Sequence, residues 1–184
     1  IGSIAPGLNL SALQEALGAV VPTRVSDDII AELYSKMIVN ACITSLGVLS
    51  GLYLGEILQK RSARNIFISI IREAVDVANA MRLKIQPFGG KLDYYALARG
   101  EGAPDTLRRH LTIRVIGFKY RRLKSSSLQS LSRGKPTEVD YFNGYIAKKG
   151  AEHGVPTPVN ARIVAMIKEI EAGKRRIDPA NLAD

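Results

Sequence analysis

An all-α fold is what this sequence predicts, and three observations carry that expectation. From Ser26 onward, apolar residues recur with helical spacing and do not alternate. Capping residues and Gly or Pro breaks fall where such segments begin and end. Hydrophobic residues make up 46% of the 184, enough to build a sizeable core for one domain.

Residues 1–24 stand apart. Ile1–Ile4 reads as strand, Pro6-Gly7 as a turn, Ser11 to about Gly18 as a short helix, and Val20–Val25 as extended chain. Such a β-α-β unit is too small to hold a core alone. It is expected to be the end of an upstream domain, with the helical domain spanning residues 25–184. The chain begins at Ile1 without a Met or a signal-like leader, so it reads as a fragment of a longer protein.

Ser26 is expected to cap the first helix of the main domain, with Asp27 and Asp28 in its first turn. This helix runs to about Leu49 and stops near Gly51. A short helical turn around Leu54–Lys60 leads to a long helix from about Ala63 to Met81, whose core face is Ile66, Ile70, Ile71, Ala74, Val77 and Ala78. Pro87, Gly89 and Gly90 then break the chain. A short helix near Tyr94–Ala98, a loop at Gly100–Pro104 and a helix from Asp105 to about Phe118 follow. Ser125–Ser132 is a short helical segment. Thr137 caps a helix to about Glu152, with Glu138 in its first turn, and Asn160–Ala172 is a final amphipathic helix before a polar tail.

Composition narrows the function classes. A lone cysteine, Cys42, excludes an intramolecular disulfide and suggests a reducing cytoplasm; its apolar neighbours predict a packed thiol. Two histidines, His110 and His153, without a Cys or His cluster, predict no metal site. Charged residues interrupt the longer apolar runs, so no membrane span of roughly 18 residues is expected. The net charge of +9 is densest at Lys119–Lys124, yet no helix-turn-helix, zinc-finger or RNP pattern accompanies it. A basic rim, or a surface facing an anionic cofactor, is therefore preferred over nucleic acid. A basic helical interaction module is the competing non-enzymatic reading.

Two clusters can carry chemistry. Lys36, Asn40 and Thr44 stand four residues apart, on one face of a helix otherwise filled by Met37, Ile38, Val39, Ala41, Cys42, Ile43 and Leu46. Such a helix is expected to be buried, with the polar line facing a cleft. An ammonium buried there is costly unless it meets a carboxylate or an anionic ligand. The second cluster is Ser125-Ser126-Ser127, then Thr137-Glu138 and Asn143-Gly144. Read alone, the serines make an ordinary capped helix start, and Glu138 answers the helix dipole. Gly144 inside a helix costs about 1 kcal/mol relative to Ala, so close packing is expected there. A lysine near a carboxylate suits a general acid acting on a carbonyl oxygen, while Asn, Thr and Ser can orient a small hydroxylated acid. No glycine-rich phosphate loop follows a strand, so the chain is not expected to hold a dinucleotide by itself.

Taken in order, three pieces resemble the ketopantoate reductase (2-dehydropantoate 2-reductase) family over about residues 26–174. Lys36-Met37-Ile38-Val39-Asn40 is similar to its Lys-x-x-x-Asn, and Ser125–Gln129 to its Ser-Ser-Met-Leu-Gln. The third piece runs from Thr137-Glu138-Val139-Asp140 through Asn143-Gly144 to His153–Asn160, and the Ser126-to-Glu138 separation also resembles the family's. The resemblance implies a helical fold like the C-terminal domain of 6-phosphogluconate dehydrogenase, preceded by a Rossmann domain that holds most of the NADPH. It implies reduction of 2-dehydropantoate to pantoate in the cytoplasm, with a fragment of this extent inactive alone and a homodimer possible. By the same resemblance, Lys36 is the general acid that protonates the ketone oxygen. Asn40 hydrogen-bonds a substrate hydroxyl or carbonyl oxygen, Ser126 contacts the substrate carboxylate, and Glu138 sits by Lys36, substrate and cofactor. Thr44 stands where the family has a second asparagine in an Asn-Pro step, Ser127 where it has methionine, and Ser130 where an acid is common. Thr44 keeps a substrate-binding hydroxyl with shorter reach, so a related reductase acting on a different 2-oxo acid is the alternative.

Overall fold

The computed structural model describes residues 1–5, 7–89, 92–100 and 102–183. Pro6 and Gly90, to which a turn and a break were assigned above, and Glu101 of the expected loop lie outside the described residues. The fold is all-α. Its helices are α1 (Ser11–Gly18), α2 (Ile29–Ser50), α3 (Leu54–Gln59), α4 (Arg61–Ala80), α5 (Tyr94–Ala98), α6 (Ala103–Lys119), α7 (Ser126–Leu131), α8 (Asn143–Glu152) and α9 (Pro158–Glu171). Two 3₁₀ turns, Val139–Tyr141 and Pro179–Leu182, complete it. Among the described residues there is no named strand, only an isolated bridge between Phe88 and Leu92. Ile1–Ile4, expected as a strand, forms none: among the described residues it meets the chain before α2 through Ile1 N to Arg24 O at 2.9 Å and Ser26 N to Ile1 O at 2.7 Å, too few bonds for a ladder.

At the centre lies α2, flanked by α4, α7 and α9. Its length and composition would suffice to cross a membrane, contrary to the expectation above, yet most of its residues are buried against those helices. Its cap is Asp28, whose carboxylate accepts from Ala31 N at 3.0 Å. Ser26, the expected cap, donates instead to Glu32 at 2.7 Å. Gly51 ends the helix at φ +73°, a left-handed conformation that suits glycine. The carbonyl of Leu49, left without an intrahelical partner, accepts from Asp178 N and from Asn181 Nδ2. The tail is thus docked, with Asn181 and Leu182 buried.

The predicted core face of α4 is buried, with Ile66 half-buried at its edge. Glu73 on the same helix is buried too, and its carboxylate accepts from Val159 N (2.8 Å), Asn160 N (2.9 Å) and Asn160 Nδ2 (2.6 Å). A side chain from α4 therefore satisfies the orphan donors at the start of α9. This start falls at Pro158, two residues ahead of the expected Asn160. Pro104 likewise lets α6 begin at Ala103, ahead of Asp105, because proline tolerates a first helical turn.

The helix expected from Thr137 to Glu152 is two pieces. A 3₁₀ turn ends at Phe142 (φ −108°, ψ −88°), and α8 starts at Asn143. Two contacts enforce the break. Asn143 is buried and donates to Asn160 Oδ1 at 2.9 Å, while a Cβ on Gly144 would lie 3.3 Å from the Val139 carbonyl. Gly144 thus serves close packing, but in the first turn of a helix and not its middle. Thr137 does not cap α8: its N–H and its hydroxyl both donate to Glu171 Oε1 at 2.7 Å, and its Oγ1 accepts from Val139 N at 3.3 Å where the 3₁₀ turn begins.

Replacing Glu73 with Ala leaves three donors without their acceptor, the two of Asn160 buried and that of Val159 half-buried, and should cost about 3 kcal/mol in urea unfolding. Glu73→Gln, which keeps one acceptor oxygen, should lose less.

Candidate functional site

Along α2 the polar line descends from solvent into the core. Each four-residue step advances about 6 Å along the axis. Lys36 is exposed, Asn40 half-buried, and Thr44 only 7% exposed. The lysine is therefore solvated, which corrects the expectation of a buried ammonium. Thr44 Oγ1 donates to Asn40 O at 2.7 Å, and Ser50 Oγ does the same one turn back to Leu46 O at 2.7 Å. The proton of the Thr44 hydroxyl is thereby spent on its own helix.

The second cluster docks at the level of Thr44. Ser125 Oγ caps α7 by accepting from Leu128 N at 3.2 Å, and donates across to Thr44 O at 3.0 Å. This crossing demands Gly47, where a Cβ would collide with Ser125 Cβ. Ser126 follows on the exposed side, while Ser127 turns inward and its buried Oγ has no partner among the described residues. Ser127, Thr44, Ser45, Thr137 and Val139 line one tight interior seam between α2, α7 and the 3₁₀ turn.

Glu138 is exposed between buried Thr137 and Val139. Its position is set from below by the Thr137–Glu171 pair, and Lys168 braces both sides, 3.1 Å from Glu171 and 2.5 Å from Asp140. Burial pushes the Glu171 carboxyl up. The donors from Thr137 and Lys168 outweigh it and hold the group below the usual glutamate range.

Asn40, Thr44, Ser126 and Glu138 thus belong to the flank of α2 on which α7 and the 3₁₀ turn dock. Lys36 stands two helical steps, about 12 Å, from the level of Thr44 toward the helix start. Among the described residues no ion pair joins Lys36 to Glu138, and no hydrogen bond or ion pair ties up the side chains of Lys36, Asn40, Ser126 or Glu138. No group of three His, Cys, Asp or Glu among the described residues could hold a metal. Cys42 is buried, and burial pushes its thiol well up. Ser125 fills the capping role expected of the serine cluster, whereas the other supports of the site, Gly47 and Glu171, have no role in the sequence reading; of Ser125, only its bond across to Thr44 O was not expected. A glycine within an apolar helix is the visible signal for Gly47.

Residues 28–171 match the family described as ketopantoate reductase PanE/ApbA C terminal. A 2-dehydropantoate 2-reductase of Archaeoglobus fulgidus is 29% identical over 147 residues, 80% of this chain and 42% of that protein. The chain spans about half the length of the curated relatives it matches. Among solved structures, a PanE/ApbA family ketopantoate reductase from Ralstonia eutropha JMP134 has a TM-score of 0.71 at 27% identity, over 95% of this chain and 51% of that one. A dimeric ketopantoate reductase from Staphylococcus aureus has a TM-score of 0.62 at 18% identity, over 89% and 52%, which shows likeness of fold.

Gly47→Ala should force α7 away from α2 and cost roughly 1–3 kcal/mol by overpacking, read from thermal unfolding. A pH series tests the Thr137 anchor. The Glu171 carboxyl lies lower in the folded chain than in the unfolded one. Its contribution is therefore complete above the unfolded value and is lost as pH falls through the folded one. Stability should fall on acidification through that window in the wild type, and less steeply in Glu171→Gln.

Proposed function

The chain belongs to the ketopantoate reductase PanE/ApbA family, and from that membership we propose that it is the helical, substrate-binding part of an NADPH-dependent 2-oxo acid reductase that converts 2-dehydropantoate to pantoate in the cytoplasm. The observation that carries this reading is the line from Lys36 through Asn40 to Ser126 and Glu138. These are uncommitted polar groups on fixed backbone, at the positions that match the family's motifs.

The proposed step adds a hydride to the ketone carbon and a proton to its oxygen. Lys36 Nζ gives that proton as the carbonyl π electrons move onto oxygen, and is reprotonated from the solvent to which it is open. Asn40 bonds the substrate's hydroxyl or carbonyl oxygen, and Ser126 its carboxylate. Glu138 offers an anchored acceptor to substrate and cofactor. NADPH supplies the hydride when bound. Among the described residues no glycine-rich turn follows a strand, so its phosphates are assigned to an upstream Rossmann domain.

Residues 1–24 fit the end of that domain. α1 buries none of its residues, and Ile4, Leu8 and Val20 are 82%, 62% and 87% exposed, apolar surface that an upstream domain would cover. Self-association belongs to the same reading, since the Staphylococcus aureus neighbour is described as dimeric. One observation favours a different 2-oxo acid as substrate: the Thr44 proton is held by Asn40 O, so it does not donate outward as the family's longer asparagine can.

The test is an assay of the full-length protein with NADPH against a panel of 2-oxo acids. Lys36→Ala should lower kcat by 10²–10⁴-fold, about the loss expected for a removed general acid. Glu138→Ala should lower it as well; unchanged rates in both would overturn the roles. The 184-residue chain alone should not turn over. If the natural substrate is a different 2-oxo acid, Thr44→Asn should move preference toward 2-dehydropantoate.

A further inference from the structure

Helix α6 carries an apolar stripe that nothing covers among the described residues. Leu107, Leu111, Val115 and Phe118 are 62%, 50%, 67% and 73% exposed, and Pro104 begins the same row. A shallow groove of about 650 Å³ runs beside it toward Leu92. The opposite side of the helix is committed to the core: Gly117 lies against Leu58 of α3, and Ile113 is fully buried. The stripe is thus a face of a well-seated helix and not a frayed segment.

The spacing within the stripe is 3, 4, 4, 3, which reads the same in both directions about Leu111. A two-fold axis at Leu111 therefore pairs α6 with an antiparallel copy of itself. Leu111 then meets its own counterpart, Leu107 meets Val115, and Pro104 meets Phe118. Charges keep the same register. At 100° and 1.5 Å per residue, Asp105, Arg108 and Lys119 share one flank of the stripe and Arg114 takes the other. The two-fold brings Asp105 of one copy within about 3 Å, along the axis, of Lys119 of the other. Arg108 and Arg114 of opposite copies lie at the same height but on opposite flanks. Arg108 is moreover turned back onto Asp105 (3.5 Å) and the Ala96 carbonyl (2.7 Å). The four exposed side chains offer roughly 500 Å² per copy, so the pair buries about 1,000 Å², the lower bound for a specific interface.

We propose that this chain self-associates through α6, packed antiparallel on the α6 of a second copy about a two-fold axis at Leu111. This gives a surface to the self-association included in the functional reading above, and it stands on the α6 geometry whether or not the chain is a reductase.

Sedimentation of the 184-residue chain is the first measurement. The wild type should be dimeric at tens of micromolar, and Leu111→Arg should weaken association at least tenfold, with the helical circular dichroism unchanged. Should that variant lose its fold, thiol crosslinking decides. Leu111→Cys should form a covalent dimer with diamide, whereas Leu107→Cys should not, because its two copies would lie about 12 Å apart along the helices. Asp105→Lys should weaken the dimer, and Asp105→Lys with Lys119→Asp should restore it. A wild type that stays monomeric overturns self-association itself, as does a monomer that uses this face only to bind anionic vesicles. A dimer that Leu111→Arg leaves intact overturns the assignment to α6. So does crosslinking by the Leu107→Cys variant when the Leu111→Cys variant gives none.

Discussion

The contact between Ser125 and Gly47 fixes where α7 crosses α2, and the polar flank of α2 depends on that crossing. An apolar helix of this length has to be wrapped by its neighbours, and wrapping it fully would bury Lys36 and Asn40 as well. Because Gly47 admits Ser125 so closely, α7 seats low on α2, at the level of Thr44, and Asn40 and Lys36 above it keep their access to solvent. Ser126 is brought to the edge by the same crossing. The 3₁₀ turn closes the adjacent side and leaves Glu138 outside. Packing and chemistry share one backbone contact.

Much of the helical architecture was legible because it follows from local pattern. The end of α2 at Gly51, the short α3 and α5, and the core face of α4 all come from periodicity and from residues that stop helices. What was not legible depends on partners far along the chain. The start of α9 is governed by Glu73, 86 residues before Val159, and Thr137 is claimed by Glu171, 34 residues on. Ser26 had the chemistry of a cap, but Glu32 took its hydroxyl and Asp28 took the role. At the candidate site the sequence identified side chains by motif. It did not show how deep each would sit, because depth along α2 is decided by where α7 lands.

The distribution of acids explains much of the electrostatics. Glu73 and Glu171 are drawn inward as acceptors for backbone and hydroxyl donors, and Asp28 and Asp93 cap helices. From Thr106 to Thr137 there is no acid at all, so Arg114, Lys119, Arg121 and Arg122 face solvent with no acid of that stretch to offset them. The positive surface follows from this acid-free stretch, in a chain with 26 Lys and Arg against 17 Asp and Glu. The basic band borders α6, whereas the line from Lys36 to Ser126 belongs to the flank of α2 where α7 docks.

The far end of α2 bears on how the molecule comes apart. The Leu49 carbonyl is held by Asp178 and Asn181, so the last residues of the chain act as a stopper on the central seam of the bundle. Loss of that stopper would leave the Leu49 carbonyl without its two donors, two residues from Gly47. The lysine end, clasped through Asp28 and Ser26, would feel it last. Removal of Asp178 and Asn181 should thus loosen the serine cluster while the ammonium keeps its post.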